Sequence, residues 1–376
     1  MGASPEIVDP DAVSRERPTG IALDVAGVRL DVETDYAPFA EYLAAQFRTA
    51  QAPATGPADV AVRVRWTEGP RPVLRPDAVF PGWRAETRID RHVYLGDGCI
   101  LCLREDDAPQ IAIASEPRGA TRRFEVRFHF TLGADGWRET LQRALRWRRV
   151  SAIRHNRLST LTYYSVYYPA WWHLEARGAA HPLHAAGVAV RGRGLLLAGL
   201  PGCGKSTLAT SFFGVPDAEL LSDNVVLHDE TNIYGCFEPL LLDADTRAWL
   251  QTVTPLEALG RTHQYSRDAF HAPHRTDGVP LGAAVILARG RKTRLARLGA
   301  AECARMLLAI NEAAKEIRRY HILASRLGLL EHDALAFFPQ RVAHLEQLCA
   351  RVPCYWLEVR EGAPAEGVAA LKDVLA

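Results

Sequence analysis

The sequence predicts an α/β chain, a C-terminal domain of alternating strands and helices preceded by a smaller α+β domain. Three observations carry that expectation. Short runs between residues 20 and 130 alternate apolar and charged residues, as half-buried strands do. Near the middle, "LLLAGLPGCGKSTLA" passes from an apolar run through a glycine-rich turn into a helical run. The chain's 376 residues are also enough for two domains with separate cores.

Taken in order, residues 1–19 are rich in Pro, Asp and Arg without periodicity and read as a loose arm. "IALDVAGVRLDVET" alternates around a glycine turn, which predicts a hairpin. "DYAPFAEYLAAQFRTA" places Phe39, Tyr42, Leu43 and Phe47 near helical spacing. "ADVAVRVRW" is strand-like, and Pro70, Pro72, Pro76 and Pro81 then mark a loop. Three more strand-like runs lead to "RRFEVRFHFTLG", with Phe124, Val126, Phe128 and Phe130 on one face. The 20–150 segment thus reads as a mostly antiparallel α+β domain for acceptor recognition or assembly. Residues 151–376 form the second domain, entered through a long helical connector that Pro169 should interrupt.

Composition narrows the function. The net charge of +1 provides no global field for nucleic acid or an anionic membrane, so neither is expected as a partner. No apolar stretch is long enough to span a bilayer and no secretion signal opens the chain, so a cytoplasmic protein is the default. Among seven cysteines, Cys99 and Cys102 make a C-x-x-C within an apolar run, and core packing is the expectation over a metal. His263, His271 and His274 crowd one loop without a recognised zinc spacing; a mobile loop over a site is the functional alternative.

The chemistry gathers at the glycine turn. Gly199, Gly204, Lys205 and Ser206 fill G-x-x-x-x-G-K-[ST], with Gly202 and Cys203 inside the loop and Thr207 following. Glycines let successive N–H groups turn toward phosphate oxygens, and the lysine adds a point charge at the β/γ-phosphates. The Ser206 hydroxyl suits a Mg²⁺ shared with those phosphates. The expected cofactors are therefore ATP and Mg²⁺. Downstream, Asp223 interrupts the apolar run "AELLSDNVVLHDE"; a carboxylate there is costly unless paired, hydrogen-bonded or near a metal. Upstream, "HPLHAAGVAVRGRGLLLAG" puts His184 at the start of a strand–turn–strand leading into the loop.

"PLHAAGVAVRGRGLLLAGLPGCGKSTLA" followed by "LLSDNVVL" resembles the HPr kinase/phosphorylase-like kinases, over about residues 180–360. The resemblance implies a P-loop domain with a phosphoenolpyruvate-carboxykinase-like nucleotide-binding core. It also implies transfer of the γ-phosphoryl of ATP to a serine hydroxyl. Within it, His184 matches the family's histidine ahead of the loop, Asp223 its proposed base, and Ser206 its metal-binding hydroxyl. Glu238, in "CFEPL", matches the active-site rim more weakly. The family's second aspartate is Asn224 here, which can still ligate through its carbonyl but brings no charge. This argues against the reverse, phosphorylase reaction. Thr207 stands where HPr kinases usually carry an acid, and their C-terminal signature is not apparent, which argues against HPr as the acceptor. The implied acceptor is a serine of another peptide or protein, as in a natural-product pathway, or a small hydroxylated molecule. The family's habit implies a homo-oligomer. Finally, Arg318 and Arg319 lie on a helical run with Lys315, where either could neutralise a transferring phosphoryl group.

Two further readings stay open. One is a nucleotide-binding regulator, favoured by Asn224. The other is a carboxykinase acting on a small metabolite, for which no carboxylate site or second metal site is evident.

Overall fold

The computed structural model describes residues 19–52, 56–69, 75–103, 110–118, 121–131, 147–242, 244–252, 257–261, 268–271, 277–331, 337–372 and 374. The expected arm before Thr19, together with His263 and His274, lies outside the described residues. Within them the chain is mixed α/β, with strands in three sheets.

The first sheet begins with the expected hairpin, β1 (Thr19–Val25) and β2 (Val28–Thr34), turned by Ala26 and Gly27 at positive φ. Helix α1 (Ala37–Gln46) buries Phe39, Tyr42 and Leu43. β3 (Val60–Glu68) follows, then the short α2 (Pro76–Val79) and β4 (Thr87–Arg88), β5 (Val93–Gly96), β6 (Cys99–Cys102), β7 (Ile111–Arg118) and β8 (Thr121–Phe130). The order is β1-β2-β3-β8-β7-β6-β5-β4. Only β2–β3 and β3–β8 pair in parallel, so the sheet is mostly antiparallel.

The helical connector is α3 (Trp147–Thr162), a π-helical turn over Tyr163–Tyr167, and α4 (Tyr168–Ala176). Pro169 does not break it. It sits in the first turn of α4, where its missing N–H costs little, and the irregularity falls just before it as the π turn. That turn is tyrosine-rich and buries Tyr164 and Tyr167.

The second sheet comprises β9 (His181–Leu183), β10 (Ala185–Val190), β11 (Arg193–Ala198), β12 (Ala218–Ser222), β13 (Val226–His228), β14 (Asn232–Gly235), β18 (Val279–Gly290), β19 (Arg294–Leu298) and β20 (Cys354–Arg360). β11 lies parallel to β18, and β18 parallel to β20. The third sheet holds β15 (Leu240–Leu242), β16 (Glu257–Arg261) and β17 (Asp268–His271).

Apolar runs such as "GLLLA" are continuous because the second sheet is covered on both faces. On one face Leu195 and Leu197 pack with Leu208 of α5 (Lys205–Ser211), with Phe212 just after it, and with Val368 and Leu371 near the C-terminus. On the other, Leu196 and Ala198 pack with Leu307 of α7 (Ala300–Ala313) and Leu345 of α9 (Phe337–Arg351). A short α6 (Ala244–Leu250) lies between the sheets in sequence.

A third layer joins the halves. Ile317, Tyr320 and Leu323 of α8 (Lys315–Leu327) share a core with Trp171 and Trp172 and with Phe128 and Phe130 of the first sheet. At its centre Glu175 is fully buried, held by Arg341 through Nε and Nη2, the Tyr320 hydroxyl and His181. Burial alone would raise the Glu175 pKa, but Arg341 and these hydrogen bonds hold it below the ordinary carboxylate value. No helix among the described residues is long and apolar enough to cross a membrane.

Several buried imidazoles make the fold acid-sensitive. Burial lowers His173 and His321 to about 4 and His184 and His228 to about 3. The unfolded chain releases imidazoles of ordinary pKa near 6.5, so below that pH it binds more protons and stability falls as pH falls. Glu238 works the other way. Burial raises its carboxyl to about 7, so its contribution is lost as pH rises from 4.5 toward 7. With four groups against one, urea unfolding should show stability dropping between pH 6.5 and pH 4.5. The slope should approach about 1.4 kcal/mol per pH unit for each group in net excess. A flat profile would show that these histidines are charged in the folded chain.

Candidate functional site

The turn from β11 into α5 is built by glycine. Gly202 and Gly204 have φ of +83° and +100°, in the left-handed region that other residues enter only with strain. A Cβ at either would meet nothing within 4 Å, so the backbone there faces open space. Gly199 is required for a different reason, close approach. A Cβ there would lie 2.6 Å from the Leu287 carbonyl oxygen on β18 and 2.6 Å from the Cys203 sulfur. Gly199→Ala should therefore lower stability by about 1–3 kcal/mol. Gly214→Ala, where a Cβ meets open space at ordinary φ, should stay within about 0.5 kcal/mol. Denaturant midpoints of the two variants check this.

Lys205 opens α5 yet is only 7 % exposed, its Nζ donating to the Gly199 carbonyl oxygen at 2.8 Å. The side chain thus folds back across its own loop. Burial lowers the Lys205 pKa, against the opposing pull of Cys203, Asp223 and Glu316. Asp223 and Glu316 therefore lie near the ammonium. Asp223 is buried at the end of β12, where it separates that strand from β13. The "LLSDNVVL" run is accordingly two strands with the carboxylate at the break.

His184 is 5 % exposed, between β9 and β10. Its backbone N–H donates to Asn311 Oδ1 at 2.9 Å, and neither ring nitrogen has a hydrogen-bond partner among the described residues. Burial, then the nearby Lys205 charge, hold the imidazole neutral. A buried imidazole with both nitrogens unsatisfied is costly, and water or a ligand beside Lys205 would satisfy it.

Asn224 and Glu238 are brought together. Asn224 Nδ2 lies 3.4 Å from Glu238 Oε1, which also accepts a bond from the Tyr163 hydroxyl of the π turn. Glu238 Oε2 accepts from the Val225 N–H at 2.8 Å. Glu238 is 3 % exposed and so does not stand at a rim. It is a buried acceptor that fixes the chain immediately after Asp223. Ser206 and Thr207 occupy the first turn of α5. Arg318 is exposed on α8; Arg319 lies near Arg157, whose pKa is lowered by burial and then by the Arg319 charge.

Three contributors escaped sequence reasoning: Asn311, Tyr163 and Glu316. Each reaches the site from a distant element, and no local pattern marks it. A cleft of about 350 Å³ begins at Thr207 and is further lined by Thr210, Val215, Thr246, Pro364 and Val368. Neither Asp223 nor His184 lines it, nor does any residue from Gly199 to Ser206.

No protein-family model matches this chain, and a search of curated proteins returns no match.

Proposed function

We propose that this protein is an ATP- and Mg²⁺-dependent kinase of the HPr kinase/phosphorylase-like type, with a P-loop nucleotide-binding domain. It transfers the γ-phosphoryl group to a hydroxyl, either a serine of a peptide or protein or an alcohol of a small molecule. One observation carries the reading: a buried lysine folded over a left-handed glycine turn, with the Asp223 charge acting on it.

The residues fit the cofactors. The glycine turn leaves open space on its surface, Lys205 and the start of α5 supply positive charge, and Ser206 and Asp223 are oxygen donors suited to Mg²⁺. The cleft beginning at Thr207 offers room for the nucleoside. When bound, ATP with magnesium supplies the transferable phosphoryl group. The chain's own task is positioning and charge neutralisation. Lys205 exchanges the Gly199 carbonyl for phosphate oxygens. Asp223 accepts the proton of the acceptor hydroxyl, and neutral His184 offers an imidazole nitrogen to the same space. Glu238 and Asn224 hold the backbone that carries Asp223.

Incubation with γ-labelled ATP, Mg²⁺ and proteins or peptides encoded beside it tests this, with the label followed by mass spectrometry. Phosphate on one hydroxyl is the expected result. Tight ATP binding with no transfer to any acceptor would favour the regulator, the reading to which Asn224 in place of a second acid already points.

A further inference from the structure

Away from the loop, Cys303, Cys349 and Cys354 converge. Their sulfur atoms all lie within 4.8 Å of one another, and all three residues are buried, at 0 %, 0 % and 3 % exposure. They come from three elements: Cys303 from the first turn of α7, Cys349 from the end of α9, and Cys354 from the start of β20. Among the described residues this is the group of three or more His, Cys, Asp or Glu side chains whose ligand atoms converge in this way; Cys99 and Cys102 belong to no such group.

We infer that these three cysteines form a three-thiolate site for a thiophilic d¹⁰ cation, Zn²⁺ or Cu⁺, that staples α7 and α9 to β20. Thiolates bind such ions at about 2.3 Å, which in a trigonal plane separates the sulfurs by about 4.0 Å. The observed spacing needs little adjustment to reach that. The C-x-x-x-x-C pair at 349 and 354 brackets the turn from α9 into β20 and so forms a natural chelate, closed by Cys303 from the packed neighbour. The three cysteines share an apolar core with Leu298, Leu345 and Ala284.

Binding replaces three S–H bonds by three metal–sulfur bonds and releases up to three protons, so affinity rises with pH. Arg297, which lies over the Tyr355 ring at 4.8 Å, offsets part of the net negative charge left by three thiolates and one cation.

The staple lies on the sheet face opposite α5, so it acts on the scaffold of the phosphate loop without touching it. β20 pairs with β18, and β18 with β11, the strand that ends in the loop.

The test is the metal content of the full-length protein, isolated under reducing conditions without chelator from medium holding both zinc and copper. About one ion per chain is expected, with X-ray absorption showing three sulfur neighbours at about 2.3 Å. The metal identified tells Zn²⁺ from Cu⁺. Cys303→Ser and Cys349→Ser should each lower the metal affinity, read by competition with a chelator, by more than the roughly 10-fold cost of losing an outer-shell partner, and so lower the content, while Cys99→Ser leaves both unchanged. Should the core variants fail to fold, the absorption spectrum of the wild type decides alone. Three results would overturn the inference: a wild-type content below a tenth of an ion per chain, a metal with nitrogen or oxygen neighbours only, or a content indifferent to both core substitutions. None of these readouts depends on kinase activity.

Discussion

Lys205→Ala is expected to abolish stabilisation of the protein by ATP and Mg²⁺. A ligand that binds only the folded chain raises its stability by about 2.7 kcal/mol at one hundred times its Kd. The wild type should show this as a rise in unfolding temperature, and the variant should show none. The reason lies in the geometry. The Lys205 ammonium is buried and rests on the Gly199 carbonyl oxygen at 2.8 Å, in surroundings that lower its pKa. An anion beside it therefore gains more than it would at a solvated lysine. Alanine removes that gain and leaves the Gly199 carbonyl without its donor. Undiminished stabilisation in Lys205→Ala would place nucleotide binding elsewhere and end the proposal.

The second large effect is on transfer. Asp223→Asn should leave ATP binding within about three-fold and lower phosphoryl transfer by about 10²–10⁴-fold, the range that a positioned base supplies. Asparagine matches the shape of aspartate and keeps one carbonyl oxygen, so the break between β12 and β13 can persist. It cannot take up a proton from an alcohol. Paired titrations and single-turnover assays separate the outcomes. Equal losses of binding and transfer would assign Asp223 to metal assembly and leave the base without a candidate.

Much of the site was legible in the chain because it is local. The glycine turn is legible from spacing, since left-handed backbone at Gly202 and Gly204 demands residues without a Cβ. The strand before the turn was legible as well, because "GLLLA" carries the continuous apolar signature of a sheet covered on both faces. The surroundings of Asp223 were not. Glu238 suggested a rim, yet it is buried beneath the next residues, bonded to Tyr163, Asn224 and Val225. No local pattern shows that a tyrosine in a π turn lies against a glutamate 75 positions later. Pro169 suggested a break for the same reason, because its position in the first turn of α4 depends on where the π turn falls.

By itself the sequence determined an α/β chain with a loop whose glycines, lysine and serine suit a phosphate and a metal, because backbone sterics and side-chain chemistry act within a few residues. Tertiary structure alone decided which distant groups gather around that loop: Asn311 under His184, Glu316 near Lys205, and Glu238 behind Asn224. It also decided that three scattered cysteines meet on the far face of the sheet. Those meetings follow from the packing of whole elements, whose register depends on the burial of all their apolar faces together.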